Sequence, residues 1–498
     1  MAKAPKSGED ILAHSVLTQN MPPLASQGSQ IIINLALAML FMGVVGVVTY
    51  IYFEQTPGLV FLVTAAVVGS YMALNIGAND VANNVGPAVG SGALTMGGAL
   101  IIAATFEAAG AILAGGDVVS TISKGIVDPS MIATVDSFIW IMISALAAGA
   151  LWINLATWVG APVSTTHSIV GGVLGAGAAA AGLNVINWPT MGAIAASWVI
   201  SPVLGGLIAA TFLYFIKTKI LYQEDKIAAA RRWVPVMLAI MAAAFGVYLA
   251  IKGLKRVWKP ELEMVALVGL VSAVMTYLLT RPVVHKASTG LENRKKSVHK
   301  LFTIPLIFAA ALLSFAHGAN DVANAVGPLA AVVAAVGEGG IAAKVAIPIW
   351  VMVLGAVGLS IGLLLFGPKL IKTVGQEITR LNPTRAFCVA LSAAITVIAA
   401  SWLGLPVSST HIAVGGVFGV GFLREGLAHR KRQSMGLMID MENPDDPKLS
   451  DKLRGKIAKR LKRRLVRRSH MLRIAGAWVI TVPSSAAIAA GIYFIMAP

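Results

Sequence analysis

Gly77–Pro87 reads GANDVANNVGP, and Gly318–Pro328 reads GANDVANAVGP. Both stretches lie in chain that is otherwise apolar enough to cross a bilayer. An aspartate at membrane depth costs about 2.5–3.5 kcal/mol on insertion scales, so it normally faces a partner or a cavity. On a helix, Asp80 and Asn83 are three positions apart and Asn79 and Asn83 four, so all three share one broad face. Asn320, Asp321 and Asn324 repeat the arrangement. The reading of these two stretches decides the fold: a membrane chain that uses one polar device twice.

The rest of the chain agrees with a membrane setting. Of 498 residues, 57% are hydrophobic and 12% charged, with mean hydropathy +0.79. Soluble domains carry about 25% charged residues. Several apolar runs reach the length a spanning helix needs, and we expect an all-α polytopic protein with about 11–13 crossings plus re-entrant pieces. The single Cys388 excludes an intrachain disulfide and a cysteine-based metal site. The net charge of +17 sits in short segments between apolar runs, with no nucleic-acid motif among them. The positive-inside rule places Lys217–Arg232, Arg281–Lys300 and Arg424–Arg473 in the cytoplasm. A smaller group, Lys252, Lys255, Arg256 and Lys259, falls on the opposite face if both central helices span. Ile31–Phe53 is too long for a signal-peptide core and reads as a first membrane helix.

The organisation follows from the repeat. GANDVAN recurs after 241 residues. WVGAPVSTTHSIVGGVLGAG (Trp158–Gly177) is matched by WLGLPVSSTHIAVGGVFGVG (Trp402–Gly421), and WVISP at Trp198 by WVITVP at Trp478. Three motif pairs in one order mean duplication. The expected divisions are a polar segment 1–30, an extra membrane helix 31–57, repeat 1 over 58–216, and a linker 217–300 with two membrane helices and basic loops. Repeat 2 runs over 301–423, is interrupted by a basic insertion 424–473, and closes with a last helix, 474–498. Duplicated membrane halves suit a transporter, with its site near the midplane where the halves meet.

Two kinds of chemistry are written into the motifs. Carboxylate and amide oxygens are hard donors suited to a hard cation. The glycines Gly77 and Gly318 and the Gly-Pro steps 86–87 and 327–328 are expected to break their helices and free carbonyls for a coupling cation. Interhelical hydrogen bonding is the alternative use of the same side chains. The triplets Ser164-Thr165-Thr166 and Ser408-Ser409-Thr410 each follow a proline and precede a Gly-rich apolar stretch. A helix starting there would aim free N–H groups and its positive dipole end at an oxyanion. Two re-entrant hairpins meeting head on would offer six hydroxyls to a tetrahedral anion, and simple N-capping is the alternative. His167 and His411 follow the triplets, but neighbours on a helix do not face each other, so a serine–histidine hydrolase is excluded and the histidines read as structural. Trp158, Trp402, Trp198 and Trp478 read as packing or interface anchors. Glu107 is a lone acid in an apolar run, with an apolar counterpart near Leu359 in the second half.

At these residues the chain resembles the inorganic phosphate transporter (PiT) family, which is marked by both motifs in duplicate, over about residues 58–496. The resemblance implies an inverted-repeat fold and symport of inorganic phosphate with Na+ or H+ across the inner membrane, with no other cofactor. Sulfate or another oxyanion, an anion channel and a phosphate sensor are the alternatives. It implies that Asp80, Asn83, Asp321 and Asn324, with Asn79 and Asn320 beside them, line cation sites, Asp80 and Asp321 holding the metal ion if that ion is Na+. It implies that Ser164, Thr165, Thr166, Ser408, Ser409 and Thr410 hold phosphate, and that Glu107 is a coupling acid. Many members carry a glutamate where this chain has Ala390. The expected partners are phosphate, the cation, the bilayer (with anionic lipid at 424–473) and a second copy of the chain as a homodimer, but no nucleic acid.

Overall fold

The computed structural model describes residues 24–161, 163–253, 260–338, 347–377, 381–442 and 468–497. Among them the chain is helical except for connections and one isolated bridge between Val127 and Ile186. The first half contains α1 (Leu24–Tyr52), α2 (Leu59–Gly90), α3 (Met96–Ala114), α4 (Gly116–Lys124), α5 (Val135–Trp158), α6 (Thr165–Ala181) and α7 (Trp188–Ile216). The linker contains α8 (Lys226–Tyr248), α9 (Leu262–Ser288) and α10 (Lys295–Leu301). The second half contains α11 (Thr303–Asp321), α12 (Ala323–Glu338), α13 (Ile349–Glu377), α14 (Pro383–Trp402), α15 (Ser409–Glu442) and α16 (Arg468–Met496). Eleven helical stretches among the described residues are long and apolar enough to cross a membrane, one of them, Thr303–Gly337, running through both α11 and α12. Their outward faces carry exposed aliphatic side chains such as Val199, Val203, Leu207, Leu270 and Val479, as a lipid-facing surface requires. The chain is a multi-pass membrane protein.

The two halves are exchanged into one another. Helix α2 packs on α13, and its counterpart α11 packs on α3; α6 packs on α16, and its counterpart α15 packs on α7. Lipid tails are as apolar as leucine, so helices in a bilayer associate through close packing of small residues. The sequence supplies glycine at matched crossings. A Cβ on Gly77 would lie 2.0 Å from the Leu359 carbonyl oxygen, and one on Gly318 would lie 2.0 Å from that of Glu107. Gly175 on Ala486 (2.1 Å) and Gly419 on Gly206 (2.0 Å) repeat the pairing at the second crossing.

These glycines correct one expectation. Helix α2 runs unbroken through the first GAND motif, with Pro87 inside its last turn. Only the second copy is interrupted, at Val322 between α11 and α12. Gly77 and Gly318 serve backbone approach, and Pro87 and Pro328 each sit inside a helix, removing one backbone N–H without ending it.

The first membrane helix begins at Leu24, rests on α2 and α13, and ties Asn34 to the Leu365 carbonyl at 2.6 Å. Expectations for residues 1–23, for Lys255, Arg256 and Lys259, and for 443–467 of the basic insertion lie outside the described residues.

Candidate functional site

The hydroxyl motifs form the tips of two hairpins, α5–α6 and α14–α15. Each tip turns on a glycine in the left-handed region, Gly160 (φ +75°) and Gly404 (φ +69°), where a Cβ would be strained. The tips touch: Thr166 Oγ1 donates to the Val407 carbonyl at 3.0 Å, and Thr410 Oγ1 reaches the Val163 carbonyl at 3.4 Å. The His167 and His411 rings pack edge to face at 4.4 Å, and Trp198 covers His167 at 3.8 Å while donating to the Pro406 carbonyl. Trp158 and Trp402 are exposed at the lips of the tips.

Asn79 and Asn320 hold these tips. Asn79 Nδ2 donates to Thr157 Oγ1 (2.9 Å) and the Ala161 carbonyl (3.4 Å), while its Oδ1 accepts from Val163 N (3.3 Å). Asn320 makes the same three bonds to Ser401, Leu405 and Val407. Both amides clamp the tips, and each Oδ1 accepts one hydrogen bond, which leaves it a second lone pair. Asn79→Leu orphans the buried Val163 N–H and should cost about 1–3 kcal/mol. That loss should show as a lower unfolding midpoint in detergent; an unchanged midpoint would mean the tip holds itself.

The remaining motif residues converge in one buried cluster. Ser164 and Ser408 act as N-caps, accepting from His167 N (3.1 Å) and His411 N (3.3 Å). Asp80 accepts from Thr165 Oγ1 (2.8 Å) on its own hairpin and from Thr410 Oγ1 (3.1 Å) on the other. Asp321 accepts from Ser409 Oγ (2.9 Å), and its Oδ1 is buried with no hydrogen-bond partner. Asn83 Nδ2 donates to Thr410 (2.8 Å), and Asn324 Nδ2 donates to Thr166 (3.2 Å) and Thr165 (3.3 Å), so each asparagine reaches the triplet of the opposite half. All ten of these side chains are buried, counting the six hydroxyls, both aspartates and both asparagines.

One patch breaks the two-fold pattern, and half of it was missed in the sequence. His317, just before the second GAND, lies with Nε2 2.8 Å from Asp321 Oδ2 and 3.6 Å from Asp80 Oδ2, and Nδ1 3.3 Å from Glu107 Oε1. None of these contacts has the direction of an N–H hydrogen bond. Asn84 Nδ2 donates to Glu107 Oε1 at 2.7 Å. The crossings that pair Gly318 with Glu107 pair Gly77 with Leu359, and the motif register pairs His317 with Ile76 and Asn84 with Ala325. Glu107, His317 and Asn84 thus have only apolar counterparts. The signal lay one residue upstream of the repeat, where FAHGAND stands against LNIGAND. Ala390 is buried in the apolar core behind hairpin 2.

Paired hairpins closing on a buried polar cluster, in a bundle of membrane-length helices, define a membrane protein with an internal site built from both of its halves. The chain matches the phosphate transporter family (PHO4) over residues 76–489 and belongs to that family. A candidate phosphate permease of Helicobacter pylori strain J99 is 48% identical, over 92% of this chain and 94% of its own length. One from Pyrococcus abyssi is 40% identical, over 73% of this chain and 89% of its own length. A solved structure described as the sodium-dependent phosphate transporter superposes with a TM-score of 0.75 at 35% identity, covering 88% of this chain and 99% of that one. These relatives are transport proteins and not enzymes.

Proposed function

We propose that this chain is a cation-coupled symporter of inorganic phosphate in the cytoplasmic membrane, built as two inverted repeats. The observation that carries the reading is the direct bonding of the two motif pairs: Thr165 and Thr410 donate to Asp80, and Ser409 donates to Asp321. Three carboxylates, Asp80, Asp321 and Glu107, share a fully buried cluster with the His317 ring set among them. Buried carboxylates left without counter-charge are costly, so this cluster favours cations. Asp80 and Asp321 would take them, with Asn83, Asn324 and the nearby hydroxyls as further hard oxygen donors. The unpartnered Asp321 Oδ1 fits such a ligand. The sodium dependence of the solved relative makes Na+ the first cation to test, with H+ second.

Phosphate would bind between the hairpin tips, where α6 and α15 begin. Their N-terminal N–H groups and dipoles favour an anion. Ser164 and Ser408 use an oxygen lone pair for capping, which leaves their O–H groups to donate to phosphate. Thr165, Ser409 and Thr410 spend theirs on the aspartates. A cation on a carboxylate competes for the same lone pairs and frees those hydroxyls for the anion. Each ligand then raises the other's affinity, since coupling between two sites is reciprocal.

Labelled phosphate uptake into proteoliposomes, with Na+ and pH gradients imposed separately, tests the proposal. Uptake above the phosphate gradient is expected with one of the two, and excess sulfate should compete weakly. Flux that follows only the anion's own gradient would make the chain a channel.

A further inference from the structure

We infer that Lys217, Arg385 and Arg424, with Lys295 at the rim, form a second anion site that takes the phosphate group of either an anionic lipid or free orthophosphate. The four cations come from separate elements: the end of α7, the start of α14, the middle of α15 and the start of α10. Each of the first three is half-buried, and Lys295 is exposed beside the Tyr222 ring. The helices that carry the first three pack on one another, α7 on both α14 and α15 and α14 on α15, so that Lys217 lies within electrostatic reach of Arg385, Arg424 and Lys295, and Arg385 within reach of Arg424. His299 lies beside the start of α14, its ring nitrogens bonded to Thr384 Oγ1 (2.8 Å) and Asn382 Nδ2 (2.9 Å). Burial, with Arg385 and Lys295 close by, holds its pKa near 4, so it adds no charge at neutral pH.

No carboxylate among the described residues offsets this charge. The ion pairs Lys252–Asp117, Arg294–Glu292 and those of His317 include none of these four side chains. Asp225 is spent capping Ile227 and Ala228. Glu425, next to Arg424 in the chain, keeps Oε2 buried with no hydrogen-bond partner. Four like charges drawn together and partly removed from water repel, and their desolvation is uncompensated until an anion arrives. Arginine's planar fork suits two phosphate oxygens, and lysine supplies a point charge.

The site is remote from the central cluster. Arg385 opens α14, whose far end is Trp402 at the hairpin tip, about 25 Å away at 1.5 Å per residue. The short α10 and the loop at Tyr222 put it at one end of the bundle, where both lipid headgroups and solvent phosphate can reach it.

The test uses full-length protein in neutral detergent and follows its unfolding midpoint. The probes are phosphatidylglycerol against phosphatidylcholine, and inorganic phosphate against chloride at equal ionic strength. Wild type should be stabilised by phosphatidylglycerol, by phosphate or by both. In K217Q/R385Q/R424Q the response should need about tenfold more probe per lost charge contact. K217R/R385K/R424K, which keeps all three charges, should retain more of the response than the glutamine variant. Which response is lost identifies the source: the phosphatidylglycerol shift for a lipid headgroup, the phosphate shift for free phosphate. Equal responses of wild type and the glutamine variant to both probes overturn the site. If the triple variant does not fold, Arg424→Gln alone carries the comparison with the same outcomes. Uptake driven from the central site is measured separately, so either reading can fail while the other stands.

Discussion

Asp80→Asn should reduce cation-driven phosphate uptake by two to three orders of magnitude, and Asp321→Asn should do the same. The substitution keeps the shape of the side chain and removes its charge. It converts the acceptor of Thr165 and Thr410, or of Ser409, into an amide that also donates. Breaking one partner of a buried charged pair costs about 3–5 kcal/mol, and each 1.4 kcal/mol is a factor of ten. Initial uptake rates in proteoliposomes at saturating cation check this, with surface amount normalised by a folded-protein assay. Rates within a few-fold of wild type in both variants would remove the aspartates from the cation sites.

Gly77→Ala and Gly318→Ala should each prevent accumulation of folded protein. The new Cβ would sit 2.0 Å from a backbone oxygen, Leu359 O or Glu107 O, and a backbone atom cannot rotate aside as a side chain can. Relief requires moving α2 off α13 or α11 off α3, and overpacking with no such relief already costs about 1–3 kcal/mol. Gly97→Ala is the control, because a Cβ there meets nothing within 4 Å. Size-exclusion profiles of the three variants should separate them cleanly. Monodisperse Gly318→Ala at wild-type yield would show that the crossing has slack.

Much of this was legible in the sequence because duplication acts as an internal comparison. The polar clusters stood out against apolar surroundings, the triplets marked two helix starts, and both were found twice in one order. What stayed hidden depended on pairings between distant segments. Nothing in GAND reveals that its first asparagine grips a hairpin tip some 80 residues downstream, or that Thr410 from the second half bonds Asp80 from the first. The glycines were read as helix breakers because sequence shows their conformational freedom but not the helix lying against them. His317 was passed over because the comparison began at Gly318, one residue too late. Leu359, by contrast, was identified as the counterpart of Glu107 from spacing alone, and the matched glycine crossings give the same pairing.

The lone patch of Glu107, His317 and Asn84 makes the surroundings of the two aspartates unequal. A frame with perfect two-fold balance would give Asp80 and Asp321 equivalent surroundings, and so two seats of the same energy. With polar groups on one side and Leu359, Ile76 and Ala325 on the other, that degeneracy is lifted. Of two seats that symmetry would have made identical, one is marked.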